Sequence, residues 1–136
     1  MDFQTILEYR NSHNPFCQKL GIRIEEIRAG YARVVKQVTA EDQNPLGYAH
    51  GGLYFTMADT ACGSAAATHG RAAVTMNASY QFLRSAREGS RVIAEATEIK
   101  AGAVIAVYDV RLTDQDGTLL GTGTFTFYLK DTPVSM

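Results

Sequence analysis

Residues 50–69 read HGGLYFTMADTACGSAAATH, and this stretch decides the fold. Between Asp42 and His69 the only Asp, Glu, Lys, Arg or His residues are His50 and Asp59. A helix from Gly51 to about Thr68 therefore has no charged outer face. Because a helix that is apolar nearly all round is buried on most sides, we predict one long central helix that the rest of the chain covers.

Alternation of apolar and polar residues on both sides of this helix predicts β-strands. The clearest case is 74–84, where Val74, Met76, Ala78, Tyr80 and Phe82 would share one buried face. The other predicted strands cover residues 22–27, 31–39, 91–100, 103–113 and 118–129, and Asp116-Gly117 forms a tight turn before the last of them. Short connections favour antiparallel pairing, so we predict an α+β fold in which one antiparallel β-sheet wraps around the helix.

The chain of 136 residues has room for a single domain, 1–136. Residues 1–20 are predicted to form an N-terminal helical flap, with a helix at 2–10 and a second turn at 15–20 that Asn14-Pro15 begins and Gly21 ends. Residues 131–136 are predicted to be a frayed tail.

Composition excludes several classes of function. The formal net charge of -1 provides no field for nucleic acid or an anionic membrane, and no apolar run reaches the length of a membrane helix. Cys17 and Cys62 are too few for a disulfide framework, and the three histidines lack metal-ligand spacing. We expect a cytoplasmic protein that binds no metal.

Asp59 is the residue that needs an explanation, since a lone carboxylate in an apolar helix is costly unless it is paired, hydrogen-bonded or protonated. Asp59 either makes a structural hydrogen bond or acts as a catalytic group. His50-Gly51-Gly52 favours the second interpretation, because first-turn N–H groups without intrahelical partners can stabilise an oxyanion. Eight residues separate Gly51 from Asp59, about 12 Å along a helix. A catalytic site that uses both therefore requires two subunits.

Asn44, Gly47, His50-Gly51-Gly52, Ala58-Asp59 and the run Phe82-Leu83-Arg84-Ser85-Ala86 resemble the PaaI-type hotdog-fold acyl-CoA thioesterases, over residues 14–129. The resemblance implies a hotdog fold, a homodimer joined through a continuous sheet as the minimal unit, and often a homotetramer. It also implies an acyl-CoA substrate, with coenzyme A present only as part of that substrate and no separate cofactor.

Residue by residue, the resemblance implies that Gly51 and Gly52 polarise the thioester carbonyl and that Asp59 of the partner chain acts as nucleophile or general base. Asn44 and His50 would shape the site, Gly47 would contribute to substrate binding, and Thr75 would hold the hydrolytic water. Ser85 stands where the family commonly has proline. From the residues themselves, Phe55 is a candidate for the acyl pocket, while Arg84, Arg87 and Arg71 are candidate cations for the coenzyme A phosphates.

Three functions are compatible with these residues and with the resemblance. The first is a thioesterase for medium-size acyl groups, including aryl groups of the phenylacetyl type. The second is a hydratase or dehydratase on the same fold, which needs a histidine paired with a carboxylate. The third is a non-catalytic acyl-CoA-binding module. Cys62 is interpreted as a buried packing residue, since no basic partner lies at local spacing.

Overall fold

The computed structural model describes residues 2–134, and its centre is the predicted helix, α3 (Gly51–Ala66). A 3-10 turn at Ala67–His69 extends it, and Gly70, in the left-handed region at φ 76°, ends it. Ten of its residues are buried, among them Met57, which is fully enclosed. The long central helix is therefore confirmed.

Within residues 2–134, six strands form one sheet in which every pairing is antiparallel. In chain order they are β1 (Arg23–Arg28), β2 (Tyr31–Gln37), β3 (Arg71–Phe82), β4 (Arg91–Ala101), β5 (Ile105–Thr113) and β6 (Leu119–Pro133). Their order across the sheet is β1-β2-β4-β5-β6-β3. The chain crosses from β2 through α3 to the far edge, and the later strands fill the gap. This is the predicted α+β architecture.

The core lies between α3 and the concave face of the sheet. Small helix residues such as Ala58, Ala61 and Ala65 are completely buried and belong to one cluster with Tyr108 and Phe125 of the sheet. Alanine side chains let the helix axis approach the strands closely, and at these positions the large side chains come from the sheet.

Strand β3 departs from the predicted single buried face. A bulge between Thr75 and Asn77 shifts the register, so Ala73 and Thr75 face the helix before it, and Ala78 and Tyr80 pack on the core after it. Val74 and Met76 are consequently 44% and 57% exposed. Because β3 is an edge strand paired only with β6, most of it is open to solvent.

The N-terminal helices α1 (Phe3–Ser12) and α2 (Pro15–Leu20) form as predicted. Asn14 caps α2 through its side chain, and Gly21, at φ 72°, ends it. The Asn11 side-chain amide exchanges two hydrogen bonds of 2.9 Å with the backbone of Ile24. The edge of the sheet at β1 is therefore covered by α1, whereas the edge at β3 is not.

The predicted tail at 131–136 is wrong for its first three residues. Strand β6 continues to Pro133, which pairs with Arg71, because β3 begins early enough to supply a partner. Ser135 and Met136 lie outside the described residues, as does Met1. None of the described helices is long and apolar enough to cross a membrane.

Candidate active site

Asp59 and Thr75 meet where α3 lies beside the exposed edge strand. The Thr75 hydroxyl donates a hydrogen bond of 2.6 Å to Oδ1 of Asp59. Asp59 is half-buried and Thr75 is exposed, so the carboxylate is not sealed in the core. The bulge that follows Thr75 is what leaves its side chain on the helix side of the strand. A short hydrogen bond from a hydroxyl to a carboxylate fixes the direction of the free oxygen.

The helix start differs in one detail from the sequence prediction. His50 is the N-cap of α3, and its Nδ1 accepts a hydrogen bond of 2.8 Å from the Gly52 N–H. The prediction that both glycines offer free donors is therefore wrong for Gly52, because the His50 ring folds back over the first turn. The Gly51 N–H has no acceptor within residues 2–134 and stays available at the positive end of the helix.

A cavity of about 270 Å³ lies beside Gly51 and is also lined by Asn44, Phe82 and Arg84. The Phe82 ring would lie 3.1 Å from a Cβ added to Gly51, so the glycine makes room for an aromatic wall. Asn44 Oδ1 accepts hydrogen bonds from two backbone N–H groups of its own turn, which holds the side chain in place. The structure thus brings Asn44, Gly51 and Arg84 together.

Two other predicted residues lie elsewhere. Gly47 stands at φ 83° in the turn that Asn44 begins, and nothing lies within 4 Å of an added Cβ, so its contribution is conformational. The His50 side chain lines a separate cavity of about 380 Å³, together with Phe16 and Leu53. His50 and Gly51 therefore face different cavities.

Gly51, Phe55, Asp59 and Gly63 recur every four residues and form one stripe along α3. Phe55 fills the stripe between the helix start and the carboxylate, and its ring packs at 5.3 Å from Phe125 and 6.4 Å from Tyr80. It is still 40% exposed, so it can contact a ligand. Because α3 is continuous from Gly51 to Ala66, about 12 Å separates Gly51 from Asp59 within one chain, and the two cannot contact the same carbonyl.

Of the three candidate cations for phosphate, Arg71 is engaged in the fold. Its guanidinium donates to the backbone carbonyls of Ala103, Leu129 and Lys130. Arg87 lies over the Tyr48 ring at 5.0 Å. Arg84 is exposed beside the Gly51 cavity and makes no side-chain hydrogen bond with any described residue. Arg84 is thus the candidate that the geometry leaves nearest the helix start.

No sequence pattern points to Arg10, which the fold brings within reach of the charge of Asp59. Its Nε donates a hydrogen bond of 3.1 Å to the Ser64 hydroxyl, although 54 positions separate the two residues. Burial lowers the pKa of the Arg10 guanidinium, and the charge of Asp59 acts in the opposite direction. A contact between elements this far apart in the chain has no local pattern, so only a tertiary structure reveals it.

A histidine–carboxylate pair is present, but at the other end of the helix. His69 Nε2 lies within hydrogen-bond distance of Glu98, which also accepts from the Tyr108 hydroxyl. His69 follows Asp59 by ten residues, or about 15 Å along the axis. The pair therefore does not join Asp59 in one site. Cys62 is fully buried, and burial raises the pKa of its thiol, which agrees with a packing role.

Comparison with known proteins places the chain in a family. The family model for the thioesterase superfamily matches residues 46–120. The chain is 36% identical over 112 residues to an acyl-coenzyme A thioesterase, PaaI, of Escherichia coli strain K12, covering 79% of this chain and 80% of that protein. The chain therefore belongs to the thioesterase superfamily, as a hotdog-fold protein of the PaaI type.

Solved structures extend the likeness over the whole fold. The E. coli PaaI protein from the phenylacetic acid degradation operon superposes with a TM-score of 0.94 at 26% identity, covering 98% of this chain and 96% of that one. A hypothetical thioesterase of Streptococcus pneumoniae TIGR4, solved with coenzyme A, has a TM-score of 0.79 at 27% identity, covering 83% of this chain and 88% of that one. Two variant structures of that protein replace an aspartate and a threonine by alanine, 16 positions apart, and the same number separates Asp59 from Thr75.

Proposed function

We propose that this protein hydrolyses acyl-CoA thioesters at a site that two copies of the chain share. The observation that carries the proposal is the Asp59 carboxylate, held by Thr75 at an open sheet edge, about 12 Å from the free Gly51 N–H on the same helix. In a two-fold symmetric dimer, each chain would contribute its Asp59 to one site and its Gly51 N–H to the other.

The exposed β3 edge is the surface through which we propose that the two copies pair. It is 12 residues long, and Val74, Met76 and Phe82 are 44–57% exposed along it. A long, apolar, unpaired edge strand is a template for another strand. Antiparallel pairing of β3 with β3 of a second copy would continue the sheet and carry each Asp59 toward the helix start of the partner. The homodimer is then the minimal unit, and a homotetramer of two dimers is the assembly that the PaaI-type resemblance favours.

In the proposed reaction, the Gly51 N–H and the positive end of α3 stabilise the oxyanion that forms on the thioester carbonyl. Asp59 of the other chain either removes a proton from the attacking water, or attacks the carbonyl carbon itself and forms a mixed anhydride that water then hydrolyses, with water supplying the proton in both cases. A C–O bond forms, the C–S bond breaks, and the proton passes to the departing thiolate. Because a thiolate is a good leaving group, one carboxylate and one oxyanion donor suffice. Thr75 orients the carboxylate or holds the water.

The acyl group that we propose is of medium size, including aryl groups of the phenylacetyl type. Phe55, Tyr80 and Phe82 form a chain of edge-to-face aromatic contacts beside Asp59 and Gly51. Two similar proteins support this substrate class. One is named an acyl-coenzyme A thioesterase, and the other was solved with coenzyme A. Arg84, beside the Gly51 cavity, is the cation that we assign to the coenzyme A side.

A panel of acyl-CoA thioesters, assayed by release of free thiol without added metal or cofactor, tests the proposal. Asp59→Asn keeps the shape of the side chain and removes the base, so we expect turnover to fall to background on every substrate. Asp109→Asn, an exposed aspartate on β5, makes the same change in charge and is expected to leave turnover unchanged. Activity of Asp59→Asn equal to that of Asp109→Asn on every thioester cleaved would refute the assignment. Binding of acyl-CoA without cleavage by the unmodified protein would favour the non-catalytic module.

A further inference from the structure

A third cavity lies one turn beyond Asp59 on the same helix. It has a volume of about 300 Å³, and its walls are α1 and α2, the second half of α3 and the first residues of β3. Gly63, which lines it, follows Asp59 in the stripe of α3 by four residues, or about 6 Å. Ala73, two residues before Thr75, lines it from the strand. The cavity therefore adjoins the Asp59–Thr75 pair.

The guanidinium of Arg10 lies at the wall of this cavity. Its Nε is held by the Ser64 hydroxyl, and its Nη2 would lie 3.3 Å from a Cβ added to Gly63. The missing side chain of Gly63 is what allows the charged end to reach the stripe. Neither Nη has a carboxylate or carbonyl partner within residues 2–134. The two Nη groups of Arg10 thus offer N–H donors that the described fold does not use.

Among the described residues of the cavity lining, Arg71 is the one other Lys, Arg, Asp or Glu. The N–H groups of Arg71 are engaged with backbone carbonyls and Asp131. No Asp or Glu is among the described residues of the lining. The cavity is also lined by the apolar residues Gly63, Ala67 and Ala73. Two guanidinium groups beside this apolar surface favour a ligand with an anionic group at the end of an apolar chain.

The anion has to belong to the acyl group. In a bound thioester the reacting carbonyl lies at Asp59, and the whole pantetheine arm separates that carbonyl from the coenzyme A phosphates. A guanidinium about one helical turn from Asp59 is therefore too close to the thioester to meet those phosphates. The acyl chain begins at the reacting carbon and can extend directly along the stripe toward Gly63.

We propose that, among medium-size acyl groups of equal length, the protein prefers those that end in a carboxylate, and that Arg10 binds this carboxylate through its two Nη groups. The inference rests on the proposed thioesterase function and names its substrate class. A planar guanidinium fixed at Nε matches a carboxylate in a bidentate pair, so Arg10 is a specificity-determining residue rather than a group that takes part in bond breaking.

Matched pairs of substrates test the inference. Adipyl-CoA and hexanoyl-CoA have acyl chains of equal length and differ in the terminal carboxylate, as do glutaryl-CoA and pentanoyl-CoA. We expect the unmodified protein to show a higher kcat/KM for the carboxylated member of each pair. Arg10→Met keeps the apolar stem and removes the donors, so kcat/KM for adipyl-CoA is expected to fall about 10- to 100-fold, while that for hexanoyl-CoA changes less than about twofold.

Two further variants separate recognition from charge and from folding. Arg10→Lys keeps the positive charge but cannot form a bidentate pair with a carboxylate, so it is expected to retain part of the preference for adipyl-CoA. Arg111→Met removes one positive charge from an exposed site on β5 and is expected to leave both substrates unaffected. Melting temperatures within a few degrees of the unmodified protein show that each variant is folded. An equal loss on adipyl-CoA and hexanoyl-CoA in Arg10→Met would assign the residue a structural role and overturn the inference.

A binding measurement keeps this inference distinct from the proposed function. Calorimetry with the Asp59→Asn protein measures affinity for adipyl-CoA and hexanoyl-CoA without turnover, and adding Arg10→Met is expected to weaken only the first. If the unmodified protein cleaves no thioester, the proposed hydrolysis fails while this selective loss of binding still supports the role of Arg10. If thioesters are cleaved but neither preference nor binding depends on Arg10, the hydrolysis stands and the inference is overturned.

Discussion

Replacement of Thr75 by valine tests whether the hydroxyl on the edge strand serves catalysis. Valine has the same shape and suits a β-strand equally well, so the change removes only the donor of the 2.6 Å hydrogen bond to Asp59. Thr75 is exposed, and we therefore expect the free energy of unfolding to fall by at most about 1.5 kcal/mol, the lower end of what a hydrogen bond to a charged group contributes.

The expected effect on rate follows from the charge of the acceptor. A hydrogen bond to a charged group contributes about 1.5–3 kcal/mol. At about 1.4 kcal/mol for each factor of ten, kcat/KM is expected to fall about 10- to 150-fold. The lower figure applies to a site open to water, and the upper figure to one that a partner chain closes.

The assay is thiol release from the acyl-CoA that the unmodified protein cleaves fastest. Thr75→Ser keeps the hydroxyl and is expected to lose less than about fivefold, since only a methyl group is removed. Thr124→Val, at an exposed position on β6, controls for the loss of a surface hydroxyl. Full activity of Thr75→Val, or an equal loss in Thr75→Ser, would show that the hydrogen bond does not contribute to the reaction.

Further predictions concern groups buried beside the site. The Tyr80 hydroxyl is buried and has no hydrogen-bond partner among the described residues, so Tyr80→Phe is expected to raise the free energy of unfolding by about 1 kcal/mol, whereas Tyr108→Phe, which removes a donor to Glu98, is expected to lower it by a similar amount. Urea unfolding measures both, and a loss of stability in Tyr80→Phe would contradict the reasoning. A Cβ at Gly121 would stand 2.1 Å from the Tyr80 hydroxyl, so Gly121→Ala is expected to cost at least about 2 kcal/mol in the same assay, and a neutral effect would disprove the close approach. Burial raises the pKa of the Cys62 thiol, so less thiolate exists at pH 8 and iodoacetamide is expected to label Cys62 at least about tenfold more slowly in the native protein than in urea, with equal rates refuting the burial.

The helix and the sheet were predictable because their signals are periodic and local. The apolar run of α3 and the cap at Asn14-Pro15 determine their own elements, and the structure agrees with both. The buried face of β3 was predicted correctly for Ala78 and Tyr80 and wrongly for Val74 and Met76, since a bulge after Thr75 inverts the alternation and no residue in the strand marks it.

Contacts within the site were predictable only in part. The separation of Gly51 and Asp59 follows from helix geometry alone, and the structure confirms that one continuous helix contains both residues. The hydrogen bond from Gly52 to His50 depends on a side-chain rotamer, and the approach of Arg10 to Gly63 depends on how two distant segments pack. Neither leaves a pattern in the sequence.

The claim that two chains share one site is tested most directly by mixing two inactive variants. Asp59→Asn removes the carboxylate, and Gly51→Pro removes the free N–H. Gly51 is the first residue of α3, a position that accepts proline, and His50 already has the extended conformation (φ -64°, ψ 139°) that precedes proline. Gly51→Ala, which places a Cβ in the same contact with Phe82 but keeps the N–H, is the control for crowding.

Each variant alone is expected to be inactive. When equal amounts are unfolded and refolded together, half of the dimers pair one variant with the other, and each of these has one intact site composed of Gly51 from one chain and Asp59 from its partner. We predict recovery of about a quarter of the unmodified activity. Absence of recovery, in a mixture whose two affinity tags co-purify, would mean that the two groups do not act across the interface.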